Sequence, residues 1–149
     1  MTDQFQQLLE QLGKIFHLSL HPDKIAACSI LIPPALIVQL EMDPTQENLF
    51  LFSKLIEIPP GKFRENVLGD ALKANASPDP VPGVLAYLDT SNCLVLFQTY
   101  PIYILNGDRL AGLFGSFFTM AENWRKAIAS GNSSPSPSHT IEANPFGLR

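Results

Sequence analysis

Cysteine and clustered positive charge are both scarce in this chain, and each scarcity removes a class of explanation. There are only two cysteines, Cys28 and Cys93, both inside apolar strand-like runs, so the fold is not a disulfide framework. Met1 leads straight into a polar, acidic opening instead of a signal peptide, and a reducing cytoplasm is the expected compartment. Hydrophobic residues make up 46% of the chain, yet no uninterrupted apolar run approaches the ~18 residues of a membrane span. The 10 Lys and Arg are scattered among 14 Asp and Glu, for a net charge of −4. A sequence pI near 5.2 leaves no electrostatic footprint for a phosphate backbone, which argues against nucleic acid as a partner.

Catalytic apparatus is just as scarce. His17 and His21 have the four-residue spacing that would put two imidazoles on one helix face, but Pro22 adjoins the second and no third ligand stands nearby. They read as boundary histidines, and no metal is expected. "GDRLAGLFG" lacks the lysine and the glycine order of a phosphate loop, so no cofactor is expected either. Asp70, Asp79 and Asp89 fit helix, loop and turn positions better than an acid/base pair. Cys28 and Cys93 fit small buried hydrophobes. The chain is not expected to be an enzyme.

What is present is a pattern of elements. In "TDQFQQLLEQLGKIFHL", Phe5, Leu8, Leu9, Leu12, Ile15 and Phe16 fall on one helical face. Asp3 followed by Gln6 resembles a capping box, with Thr2 as an alternative cap, and Gly13 should weaken the helix slightly. From Ile25 the period changes to short runs, "IAACSILI", "ALIVQLEM" and "NLFLFSKLIEI", separated by prolines that cannot sit inside a central ladder. Leu36, Val38, Leu40 and Met42 alternate with Ile37, Gln39 and Glu41, which suggests an antiparallel meander covered on one side.

A second helix, "FRENVLGDALKAN", breaks into "ASPDPVPG", with Asn75 suited to a left-handed helix end. "GVLAYLD" and "CLVLFQ" flank "TSN" as a hairpin, and "IYIL" after Pro101 is a short strand or an extended connection. Asn106 and Asp108 open a third helix with the stripe Leu110, Leu113, Phe114, Phe117, Ala121, Trp124 and Ile128. Its opposite face, Gly112, Gly115, Ser116 and Thr119, either permits close approach of another backbone or is plain exposed surface. From Ser130 the chain loses periodicity and fills with Ser and Pro, so residues 1–129 read as one α+β domain and 130–149 as a disordered tail on which Phe146 can still dock.

The order helix, three strands, helix, two or three strands, helix resembles the class I type III secretion chaperones, the Tir chaperone family. "FQQLLEQLG" is similar to their first helix and "ALKAN" to the "LLxAN" end of their second, with Ala71 in place of the first leucine. "GVLAYLDTSNCLVLFQTYPI" resembles their glycine-led hairpin, and "FFTMAENWRKAI" the end of their last helix with its tryptophan, here Trp124. The likeness runs from about residue 3 to 129; the Ser/Pro tail has no counterpart in it, and Pro33-Pro34 departs from the pattern.

The resemblance implies an acidic cytoplasmic dimer without ATPase activity, which binds the N-terminal segment of a secreted effector in extended form and presents it to the secretion machine. It puts the effector groove at Phe5, Leu8, Leu9 and Leu12 with Ile30, Ile32, Leu36 and Val38. It puts the dimer surface at Val67, Leu68 and Leu72 with Leu85, Tyr87, Leu94 and Leu96. Strand alternation requires some of these to be core instead. Two other readings stay open: a subunit paired with a related but unequal chain, and a small enzyme of unfamiliar type.

Overall fold

The computed structural model describes residues 3–33, 35–78 and 81–135. Helix α1 spans Gln4–Phe16. Asp3 caps it, accepting the Phe5 N–H at 3.1 Å and so satisfying one of the unpaired donors of the first turn; Thr2 lies outside the described residues. The helix ends where His17 turns left-handed (φ 59°) and the N–H groups of His17 and Leu18 both return to the Gly13 carbonyl. That reversal corrects the expectation for Gly13. Its missing side chain is a requirement, because a Cβ there would lie 2.5 Å from the Leu18 carbonyl oxygen.

Three strands come next, β1 (Ala27–Ile32), β2 (Leu36–Met42) and β3 (Asn48–Glu57), then helix α2 (Lys62–Asn75), strands β4 (Val84–Leu88) and β5 (Cys93–Pro101), and helix α3 (Gly107–Ala129). All pairings are antiparallel and the order across the sheet is β1-β2-β3-β5-β4. The first strand starts at Ala27 instead of Ile25 because Ala26 takes a left-handed turn, φ 58°. "IYIL" is not a strand: Ile102–Ile104 form one 3-10 turn, with the Ile102 N–H held by the Glu47 carbonyl at 2.8 Å. Two strands, not three, therefore succeed α2.

The β2–β3 turn is built by one side chain. Asp43 accepts from Asn48 Nδ2 (2.9 Å), from the Glu47 and Asn48 N–H groups and from the Thr45 hydroxyl. These bonds, that of Asn48 first, hold its carboxyl at about 2, below the ordinary 3.8.

The core lies on one side of the sheet. Leu36, Val38 and Leu40, Leu49 and Leu51, and Leu94 and Leu96 meet Phe5, Leu9 and Leu12 of α1 and Leu110, Phe117 and Ala121 of α3, all in one buried cluster. Each such leucine, valine or phenylalanine contributes roughly 1.5–3 kcal/mol by leaving water. The Phe16 and Phe114 rings pack 5.3 Å apart between the two helices. Gln11 ties the start of α3 to α1, its Oε1 accepting the Gly107 N–H at 2.7 Å, and Asn106 caps α3 by accepting the Arg109 N–H. The tail expected from Ser130 opens with a helix cap; residues 136–149 and Asp79 lie outside the described residues.

Candidate functional site

Among the described residues, two helices on one face leave the other face of the sheet without a layer. By alternation and register it carries Leu31 on β1, Ile37 and Gln39 on β2, Phe50, Phe52 and Lys54 on β3, and Val95 and Phe97 on β5. Leu31 pairs with Ile37 across β1–β2, and these two are 66% and 53% exposed. Phe50 stacks on Phe52 at 6.2 Å and meets Phe97 at 5.9 Å. None of Leu31, Ile37, Phe50, Phe52 and Phe97 belongs to the core cluster. A concavity of about 220 Å³ opens among them, lined by Ala35, Ile37, Gln39, Phe52 and Lys54. Glu41 shares this face, its carboxylate accepting from Gln39 Nε2 at 2.8 Å. Such a face can take apolar side chains from another chain.

The two sheet edges differ. At β4, the Asn75 carboxamide donates to the Leu85 carbonyl (2.8 Å) and accepts the Leu85 N–H (2.9 Å), as a neighbouring strand would. Asn75 is therefore helical and not the left-handed terminator expected from the sequence; the helix cap is Ala76, at φ −86°. The far end of α2 is tied by Arg64, which donates to the Tyr87 hydroxyl, to Asn92 Oδ1 and to the Ile58 carbonyl and lies over the Tyr87 ring at 5.1 Å.

At the other edge, Asp23 covers only the start of β1. Its carboxylate accepts the Ala27 N–H and its own N–H donates to the Ala27 carbonyl. By alternation the outward backbone groups of Ser29 and Leu31 lie further along that edge. Among the described residues no strand but β2 pairs with β1.

A sequence model of the Tir chaperone protein (CesT) family matches residues 7–125. The chain belongs to the Tir chaperone protein family. No protein of curated function matches it in sequence. Among solved structures, the Tir-family chain is similar to a chain of the HopA1–SchA chaperone–effector complex, at 20% identity and TM-score 0.67 over 85% of this chain and 100% of that one. It is also similar to a chain of the ExsC–ExsE complex, at 17% identity and TM-score 0.67 over 85% and 94%. A third likeness is to the structure of the Yersinia pestis type III secretion chaperone SycH with a YscM2 fragment, at 20% identity and TM-score 0.64 over 78% and 96%. At these identities the likeness establishes the fold, an α+β type III secretion chaperone fold.

In this Tir-family member the residues expected to line a groove are mostly turned into the protomer. Phe5, Leu8, Leu9, Leu12, Ile30, Leu36 and Val38 are all buried in the protomer core, and Ile32 is half-buried at its margin. The physical reason is the period of two: β1 and β2 turn one set of side chains to the helices, and the richer apolar set goes there. The alternate set, Leu31 and Ile37, faces out.

The expected dimer surface divides in the same way. Val67, Leu85, Leu94 and Leu96 are core, Leu68 is half-buried, Tyr87 is bound into the Arg64–Asn92 network, and Leu72 alone stands out, 69% exposed. Sequence reasoning missed Phe50, Phe52 and Phe97, whose only signal was their shared phase along β3 and β5. It also missed Arg64, whose partners lie 23 and 28 residues away.

His17 stands at the left-handed end of α1 and the His21 ring lies 3.0 Å from the Ser19 hydroxyl. Burial pushes the Cys28 thiol up, away from the reactive thiolate. No group of three metal-ligating side chains occurs among the described residues, and no described helix is long and apolar enough to cross a membrane.

Proposed function

We propose that this chain is a cytoplasmic type III secretion chaperone. It binds the N-terminal segment of a secreted effector in extended form, keeps it soluble and presents it to the secretion apparatus. The observation that carries this reading is the uncovered aromatic and aliphatic sheet face running to the open part of the β1 edge. An extended client adds a strand along Ser29–Leu31 through backbone bonds, and its alternate side chains enter the concavity at Ile37 and Phe52. Ile32, at the end of β1, borders this path; Ile30, Leu36 and Val38 act from the core by shaping the sheet beneath it. Binding of this kind needs no covalent chemistry, so the chain works without catalysis.

The chain pairs through its α2 side, where Leu72 offers exposed apolar surface next to a β4 edge already closed by Asn75. Native mass spectrometry of the protein isolated from its own cells tests both parts. The expected species is two copies of this chain holding the N-terminal region of one secreted protein. Ile37→Asp should lose that client while keeping the dimer mass and the wild-type melting temperature. A folded Ile37→Asp protein that holds its client undiminished removes the outer face from the site. A related small chain in place of the second copy makes the pair an unequal one.

A further inference from the structure

The outer face of the sheet holds a cation amid apolar side chains. Lys54 is exposed on β3 and lines the concavity of about 220 Å³ with Ala35, Ile37, Gln39 and Phe52. Elsewhere Lys62, Lys73 and Arg125 pair with Glu65, Asp70 and Glu122, whereas Lys54 makes no ion pair among the described residues.

Its neighbours on the face are apolar on three sides. Continuing the β2–β3 register places Ile37 beside it, the β3–β5 register places Val95 on its other flank, and Phe52 precedes it on the same face. The carboxylate that shares this face is out of reach. Glu41 lies four residues beyond Ile37 on β2, about 14 Å at about 3.4 Å per residue, and its carboxylate is engaged by Gln39 Nε2.

While the face is open, water solvates the Lys54 ammonium. A client laid over Ile37 and Phe52 strips that water away, and a charge removed from water without a partner is strongly disfavoured. A client carboxylate offsets the loss with a charge-assisted hydrogen bond, stronger than a neutral one. Residues of an extended chain that face the same way are two positions apart, so the client's residues on either side of that carboxylate meet Ile37, Phe52 or Val95.

We propose that Lys54 is a specificity-determining residue of the outer face, taking an Asp or Glu of the client set in the pattern apolar-x-acidic-x-apolar. The same ammonium repels a segment with Lys or Arg at that position, so it selects by exclusion as well as by attraction. The proposal rests on the outer face being the client site, and different variants test the two.

The probe is a displayed library of random dodecapeptides selected on the full-length protein. Peptides that bind the wild type and not Ile37→Asp report the outer face, and these should carry Asp or Glu with apolar residues two positions to either side. In fluorescence anisotropy, changing that acid to its amide should weaken binding to the wild type about fivefold. The same change should leave binding to Lys54→Met unaltered, because methionine keeps an apolar stem without the charge. Changing the acid to lysine should restore binding only with Lys54→Glu. Ile37-dependent peptides that lack the acid, or that bind the wild type and Lys54→Met equally, overturn the role of Lys54 and leave the outer face as the client site. Finding no Ile37-dependent peptide overturns both. A Lys54→Glu protein that loses the dimer mass in native mass spectrometry also overturns the proposal, because the partner of Lys54 is then a second copy of this chain.

Discussion

Replacing Asn75 by alanine isolates the clamp that closes the β4 edge. The substitution removes two hydrogen bonds, of 2.8 and 2.9 Å, and leaves the N–H and C=O of Leu85 without their partner. A bond of this kind contributes about 1 kcal/mol, and leaving a buried group unpaired costs about 1–3 kcal/mol. The site is half-buried, so water compensates in part, and alanine recovers a few tenths through helix propensity. The expected net loss is about 2 kcal/mol. With a urea m-value of about 2 kcal/mol/M for a small domain, the unfolding midpoint should fall by about 1 M. The Leu85 amide should exchange roughly 30-fold faster, the equivalent of the same energy. Asn75→Asp keeps the acceptor but sets two oxygens against each other, so it should be no more stable than the alanine variant. Asn75→Gly decides the matter. A residue that only terminates a helix would tolerate glycine, and a glycine variant as stable as the wild type would refute the clamp.

Burial and charge set three further outcomes. Leu9 is 0% exposed, so Leu9→Asp should lose the fold altogether, by placing an unpaired carboxylate where about 2–5 kcal/mol of leucine packing stood; circular dichroism at 25 °C checks it, and a folded variant refutes the core placement of α1. Gly13→Ala should destabilise by about 1–3 kcal/mol despite alanine's better helix propensity, because its Cβ overlaps the Leu18 carbonyl; a raised melting temperature would count against that close approach. Asp43 is held at about 2 in the fold against an ordinary 3.8, so its contribution is present above pH 3.8 and fades as pH falls toward 2. The stability difference between wild type and Asp43→Ala should shrink across that window, and a difference constant from pH 5 to 2 would refute the assignment.

Local patterns were the legible part of the sequence. The stripes of α1 and α3, the Asp3 and Asn106 caps, and the three early strands are written in spacing within a few residues. The phase of β1 and β2 was harder to use, because alternation separates two faces without stating which the helices cover. Leu36 and Val38 were thus expected on a groove, and the structure buries both in the core. Contacts between distant residues left no local trace. Asn75 reads as a helix terminator until Leu85, 10 residues on, comes beside it, and Gly13 reads as a weakness until the chain reverses at His17.

The unequal sheet edges limit how these chains can accumulate. Endless strand-on-strand growth needs two open edges on every subunit. Here one is blocked at Leu85 by a carboxamide that offers the same donor and acceptor as a peptide unit, and the start of the other is covered by a carboxylate. A subunit with a single open edge has a valence of one, so strand pairing stops after one addition. A subunit so limited is kept from becoming a template for a fibre.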